Sequence, residues 1–195
     1  MRRTVVGVLL IFLLVACTRP GTDDPTVGGP GVPTSTVSPS GRPDTPECSG
    51  QQGGTETYVW LTDVSTAQGS VSDTVTFQFQ SVGDPQVTPA VPKFELAEAA
   101  PPFADESDRR IEVDGVVHYR LIFHGATGAH TEGERVVETY KGPREFKPGF
   151  PVLAELELLG DFEATLSWIA GISRDSCPKV QTDDSALRMT LEFPH

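Results

Sequence analysis

No asparagine occurs among the 195 residues, and only four lysines (Lys93, Lys141, Lys147, Lys179) stand against eleven arginines, a bias that reflects GC-rich coding rather than selected chemistry. Positive charge of either kind is scarce: 15 Lys+Arg face 27 Asp+Glu, for a formal net charge of -12. Such a surface repels nucleic acid and anionic headgroups, and no basic stripe with interleaved aromatics is present, so no nucleic-acid partner is expected. The G-x-S-x-G elbow of Ser-His-Asp hydrolases, a C-x-x-C pair and a phosphate-cradling glycine loop are all missing. Without a nucleophile, base or metal cluster, the chain is not expected to be an enzyme. Long helical periodicity is missing too: no convincing 3.6-residue apolar pattern runs through the sequence, and prolines interrupt the places where one could form.

One long apolar run is present, at the start. Met1-Arg2-Arg3 is cationic, Thr4 to Ala16 is almost wholly apolar, and Leu14-Val15-Ala16-Cys17 closes the run with small residues before a cysteine. As a helix this run reaches about 20 Å, short of the roughly 30 Å hydrocarbon core, so residues 1–16 read as a signal peptide rather than a span. The tetrapeptide ending in Cys17 resembles the lipobox of bacterial lipoprotein precursors, in which the thiol receives a diacylglycerol and a peptidase cuts before it. The expected partner is then the outer face of the cell membrane, held by two or three acyl chains. The alternative is a plain signal peptide with Cys17 beside its cut site.

Residues 17–56 are dominated by Gly, Pro, Ser and Thr, with prolines at 20, 25, 30, 33, 39, 43 and 46 and no apolar periodicity. They read as a flexible stalk with a reach between about 35 and about 120 Å. Residues 57–195 change to alternation, and their length fits one ordinary domain. Thr74 to Gln80 places Val75, Phe77 and Phe79 on one face; Phe162, Ala164, Leu166 and Trp168 are assigned to another strand, and Leu187, Met189, Leu191 and Phe193 to a third. Further strands are expected at Tyr58–Leu61, Lys93–Ala97, Arg110–Val113, Val116–Phe123, Arg135–Tyr140 and Leu153–Leu158. Asp114-Gly115 reads as a two-residue hairpin turn and Leu159-Gly160-Asp161 as a turn. The fold class is all-β, a single β-sandwich.

Once Cys17 is assigned to a lipid, Cys48 and Cys177 remain as a pair, either bridged in an oxidising envelope or left as two free thiols. His118 and His124 share one face of a strand but are separated by roughly 20 Å, too far for one metal ion. His130 lies in a glycine-rich loop, and Asp105-Glu106-Ser107-Asp108 lacks the ligand alternation of a calcium loop. No metal or cofactor is expected. Trp60, Tyr119, Tyr140 and Trp168 could stack on sugar rings or anchor an interface, while the plain reading of each is core.

Gly160 to Ile172 followed by Leu187 to Phe193, the strand Asp73 to Phe79, and Val116 to His130 together resemble the AMIN-like domain of actinobacterial lipoproteins, over roughly residues 57–195. The resemblance implies a small envelope β-sandwich, related by name to AMIN domains that bind peptidoglycan and target amidases and secretin-type proteins to the wall. It brings no catalytic residues. Two features depart from the pattern: the Cys48, Cys177 pair is not a hallmark, and Ala164 stands where glycine is expected. The functional expectation is a lipid-anchored envelope module that binds cell-wall glycan or a protein partner without catalysis. A lipid-anchored receptor for a small apolar ligand is the alternative.

Overall fold

The computed structural model describes residues 48, 50–83 and 88–195. The signal peptide, Cys17 and residues 17–47 of the stalk lie outside the described residues. Every regular element among the described residues is a strand. In chain order these are β1 Gln51–Gly53, β2 Val59–Gln68, β3 Ser72–Ser81, β4 Lys93–Glu98, β5 Phe103–Ala104, β6 Arg110–Ile111, β7 Val117–His124 and β8 Ala126–Thr127. Then come β9 Ala129–Glu132, β10 Arg135–Glu138, β11 Glu145–Phe146, β12 Leu153–Phe162, β13 Thr165–Ile172, β14 Lys179–Asp183 and β15 Arg188–Pro194.

Two sheets carry the fold. The first has the order β1-β4-β7-β13-β12-β11 and the second β14-β15-β3-β2-β8, with β9-β10 and β5-β6 as separate two-stranded ribbons. Period-2 alternation explains the packing: β3 turns Val75, Phe77 and Phe79 inward, β15 Met189, Leu191 and Phe193, β7 Tyr119, Leu121 and Phe123, and β13 Leu166, Trp168 and Ile172. These residues meet in one continuous core between the sheets, with Phe77 edge-on to both Phe123 and Trp168. The molecule is therefore the expected β-sandwich.

Several local expectations are revised. Phe162 does not share a strand with Trp168: it ends β12, and Glu163 and Ala164 form a two-residue turn with φ of 50° and 58° before β13 begins. Leu159-Gly160-Asp161 is not a turn but the last part of β12, which tolerates its mixed pattern because a bulge lies between Leu158 and Gly160. Asp114-Gly115 does not join two paired strands either. Arg110–Ile111 pairs with Phe103–Ala104, while Asp114 donates its amide to Glu155 at 2.7 Å and the segment crosses over β13. Gly171 permits that crossing, because a Cβ there would collide with the Asp114 carbonyl.

The ordered sheet also begins before residue 57, since β1 pairs with β4. Cys48, just ahead of β1, is bridged to Cys177, just ahead of β14, with their Cα atoms 5.4 Å apart. The bridge joins the edge of one sheet to the edge of the other, and Gln51 Nε2 adds a 2.7 Å hydrogen bond to the Pro178 carbonyl at the same corner.

Candidate functional site

The outer face of the six-stranded sheet is built from residues that alternate away from the core. On β7 these are His118, Arg120, Ile122 and His124, and on β13 they are Thr165, Ser167, Ile169 and Gly171. Half of this face is covered. The β5-β6 ribbon lays Phe103 and Ile111 over Leu159 and Ile169, making a second apolar cluster. His118 is enclosed there, its ring 5.0 Å from that of Phe103 and its Nε2 2.9 Å from the Val113 carbonyl.

The other half is open. Between the β5-β6 turn and the β12-β13 turn lies a groove of about 330 Å³, lined by Arg120, Ser167, Thr165, Gly160, Phe162 and Glu163 among others. Phe162 is 67% exposed, the most exposed aromatic among the described residues. A ring held in water at the end of a strand offers a flat apolar face to a ligand. Arg120 reaches across the strand pair to donate its Nε to Ser167 Oγ at 3.1 Å, and no carboxylate among the described residues pairs with its guanidinium.

The acids of the groove walls have partners, with one exception. Hydrogen bonds from the Ser107 hydroxyl and the Arg109 guanidinium hold Asp105 far below the usual carboxylate range, and its Oδ1 also accepts the Ser107 and Arg109 amides. The Asp105–Asp108 segment is thus a carboxylate-organised turn, with Asp108 at φ 61°. Glu106 lies 3.4 Å from Arg144 and accepts the Asp161 amide at 2.8 Å. Glu163, at the tip of the β12-β13 turn, has no such partner among the described residues.

The remaining polar features serve the scaffold. Lys147 holds Glu145 at 2.8 Å and buried Glu155 at 3.5 Å, and its own proton affinity rises in consequence. Burial, then the neighbouring Glu155 and Glu145, push Glu157 upward. No group of three His, Cys, Asp or Glu suited to a metal ion occurs among the described residues. His118 and His124 sit at opposite ends of β7, with His124 3.5 Å from Glu95. His130 meets neither of them: it stacks on Trp60 with ring centroids 3.9 Å apart and lies 3.1 Å from Glu132. A second depression, of about 450 Å³, is lined by Tyr58, Lys93 and His124, but Lys93 already faces Glu56 and His124 already faces Glu95.

The four aromatics singled out from the sequence do not form a surface. Tyr119, Tyr140 and Trp168 are core residues, and burial pushes both phenols up to about 12. Trp60 is half-buried beneath His130. Sequence reasoning passed over Phe162 and Arg120. The available signal was Glu163-Ala164 itself, a polar residue and a small one between two alternating runs, which reads as continuous alternation unless it is recognised as a hairpin turn.

Fold and site together define a disulfide-bridged all-β sandwich with an open, mixed-polarity groove on one sheet face. No family model matches the chain, and neither the curated proteins nor the solved structures contain a match to it.

Proposed function

We propose that this chain is a non-enzymatic module of the bacterial cell envelope, held on the outer face of the membrane by a lipid on Cys17. It engages wall glycan through the open half of the six-stranded sheet. The observation that carries the reading is the exposed Phe162 lining the same groove as Arg120, whose guanidinium has no carboxylate partner among the described residues. Glycan recognition commonly combines a flat apolar surface with a few fixed polar groups, and this groove has both. The AMIN-like resemblance of residues 57–195 and the lipobox-like Leu14 to Cys17 point the same way. A receptor for a small apolar ligand would instead need an apolar pocket between the sheets or among their end loops, and between the sheets Trp168, Phe77, Phe123 and Phe193 are packed.

The test is co-sedimentation of the full chain, kept in detergent micelles, with purified peptidoglycan sacculi at two salt concentrations. The expected result is binding that persists at the higher salt and falls at least severalfold in Phe162→Ala. Failure of the unmodified chain to sediment would discard glycan binding and favour a protein partner.

A further inference from the structure

We infer that the Arg120 groove recognises a carboxylate borne on a sugar ring, with the ring against Phe162 and the carboxylate on the guanidinium. This inference rests on the glycan reading of the same site and names its ligand class.

The argument starts from the guanidinium. Arginine presents five N–H donors in a planar fork matched to a carboxylate, and here only the Nε donor has a partner among the described residues, at Ser167 Oγ. That single bond orients the fork from the sheet and leaves both Nη groups for a ligand. In a chain with 27 acids and 15 bases, an arginine without an acid beside it is notable chiefly because the acids near it are already engaged. Asp105 is held by Arg109 and Ser107, and Glu106 by Arg144 and the Asp161 amide. Of the charged residues that line the groove, Asp105 and Glu106 are therefore paired, leaving Arg120 itself and the turn residue Glu163. One negative group fits between them only if it sits on the Arg120 side.

The rest of the groove selects what carries the charge. Phe162 supplies a flat apolar wall, whereas Ser167 and Thr165 supply hydroxyls on the floor. Gly160 keeps the floor low, since a Cβ there would come within 3.2 Å of the Glu106 carboxylate. A pyranose has one apolar face and hydroxyls around its rim, so it matches a wall of this kind above a hydroxyl floor. At about 330 Å³ the groove has room for a sugar unit rather than a long chain segment.

Two sources of this chemistry exist: a uronic acid residue of an anionic polysaccharide, and the ether-linked carboxylate of a muramoyl residue in peptide-stripped wall glycan. Calorimetric titration of the full chain in detergent separates them. The probes are a glucuronate-containing tetrasaccharide, a peptide-free muramoyl tetrasaccharide, and the carboxyl-reduced form of each. The expected result is binding of one or both acids, at least about tenfold weaker for the reduced forms. Arg120→Gln is expected to abolish that preference, while Glu163→Gln tightens binding of the acid about two- to threefold by removing the repelling neighbour. Because Glu163→Gln gains affinity, its effect cannot come from misfolding. Equal affinity for acid and reduced sugars, unchanged in Arg120→Gln, overturns the inference yet leaves glycan binding standing. No binding of any sugar or of sacculi overturns both.

Discussion

Asp73 shows how one side chain can join two sheets. It lies on β3 but points into the core, where its Oδ2 accepts the Val152 and Leu153 amides at 2.7 and 2.9 Å, at the start of β12, and its Oδ1 lies 2.8 Å from His195 Nε2. Burial raises the proton affinity of this carboxylate, but the hydrogen bonds from His195 and the two amides outweigh it, and the net shift is downward from 3.8. A carboxylate whose folded pKa lies below its unfolded value contributes stability that is complete above the unfolded pKa and is lost as pH falls through the folded one. Thermal melting of the unmodified chain should therefore lose stability below about pH 4, and Asp73→Asn should show a shallower loss over that range. At neutral pH the same substitution is expected to lower stability by about 1–3 kcal/mol, because buried donors lose a charged acceptor. Equal acid slopes for the two proteins would sink this account.

Among the elements, the β12-β13 hairpin matters most for the site, because it carries Phe162 and Glu163 on one side of the groove and Thr165 and Ser167 on the floor. Its two-residue turn needs left-handed backbone at both central positions, a conformation that costs an L-residue roughly 1 kcal/mol or more. Ala164, at φ 58°, bears that cost without a side chain able to compensate, and its carbonyl accepts the Gly125 and Ala126 amides, which fixes its orientation. Glycine, which bears no such cost at positive φ, therefore fits this position better. Ala164→Gly should raise stability by about 0.5–1 kcal/mol, measured by chemical denaturation, the gain being reduced by the greater freedom of glycine in the unfolded chain. A lower midpoint in the variant would count against this turn geometry.

For the whole molecule, β1 and β14 are edge strands of the two sheets, and the Cys48–Cys177 bridge ties these edges together. β1 is only three residues long and pairs with β4 alone, so without the bridge little holds it. The bridge closes a loop with a sequence separation of 129. Loops of that size give a chain-entropy stabilisation of up to about 5 kcal/mol, of which about 2–5 is usually realised. Replacing both cysteines by serine should lower the melting temperature and remove amide protection first at Gln51–Gly53. Unchanged protection there, read by hydrogen exchange, would mean that β1 is held by its ladder and by the Gln51–Pro178 bond instead.

The all-β class, the inward faces of β3, β7 and β15, and the even pairing of two cysteines were legible in the sequence, because period-2 alternation and residue counts are local properties of the chain. Three things were not, because each depends on which strands become neighbours. The stretch from Phe162 to Trp168 alternates without a break, and only the pairing of Phe162 with Thr165 shows that the chain reverses there and turns the Phe162 ring to water. Whether Trp60, Tyr119, Tyr140 and Trp168 face a ligand or the core was decided by tertiary packing, which takes three of them into the core and stacks His130 on the fourth. The ionic surroundings of Arg120 were set partly within one turn, where Arg109 holds Asp105, and partly by tertiary packing, which brings Arg144 to Glu106 from 38 residues away. Alternation along a strand tells which residues share a face, but only tertiary packing determines which faces remain open to solvent and which charges remain unpaired.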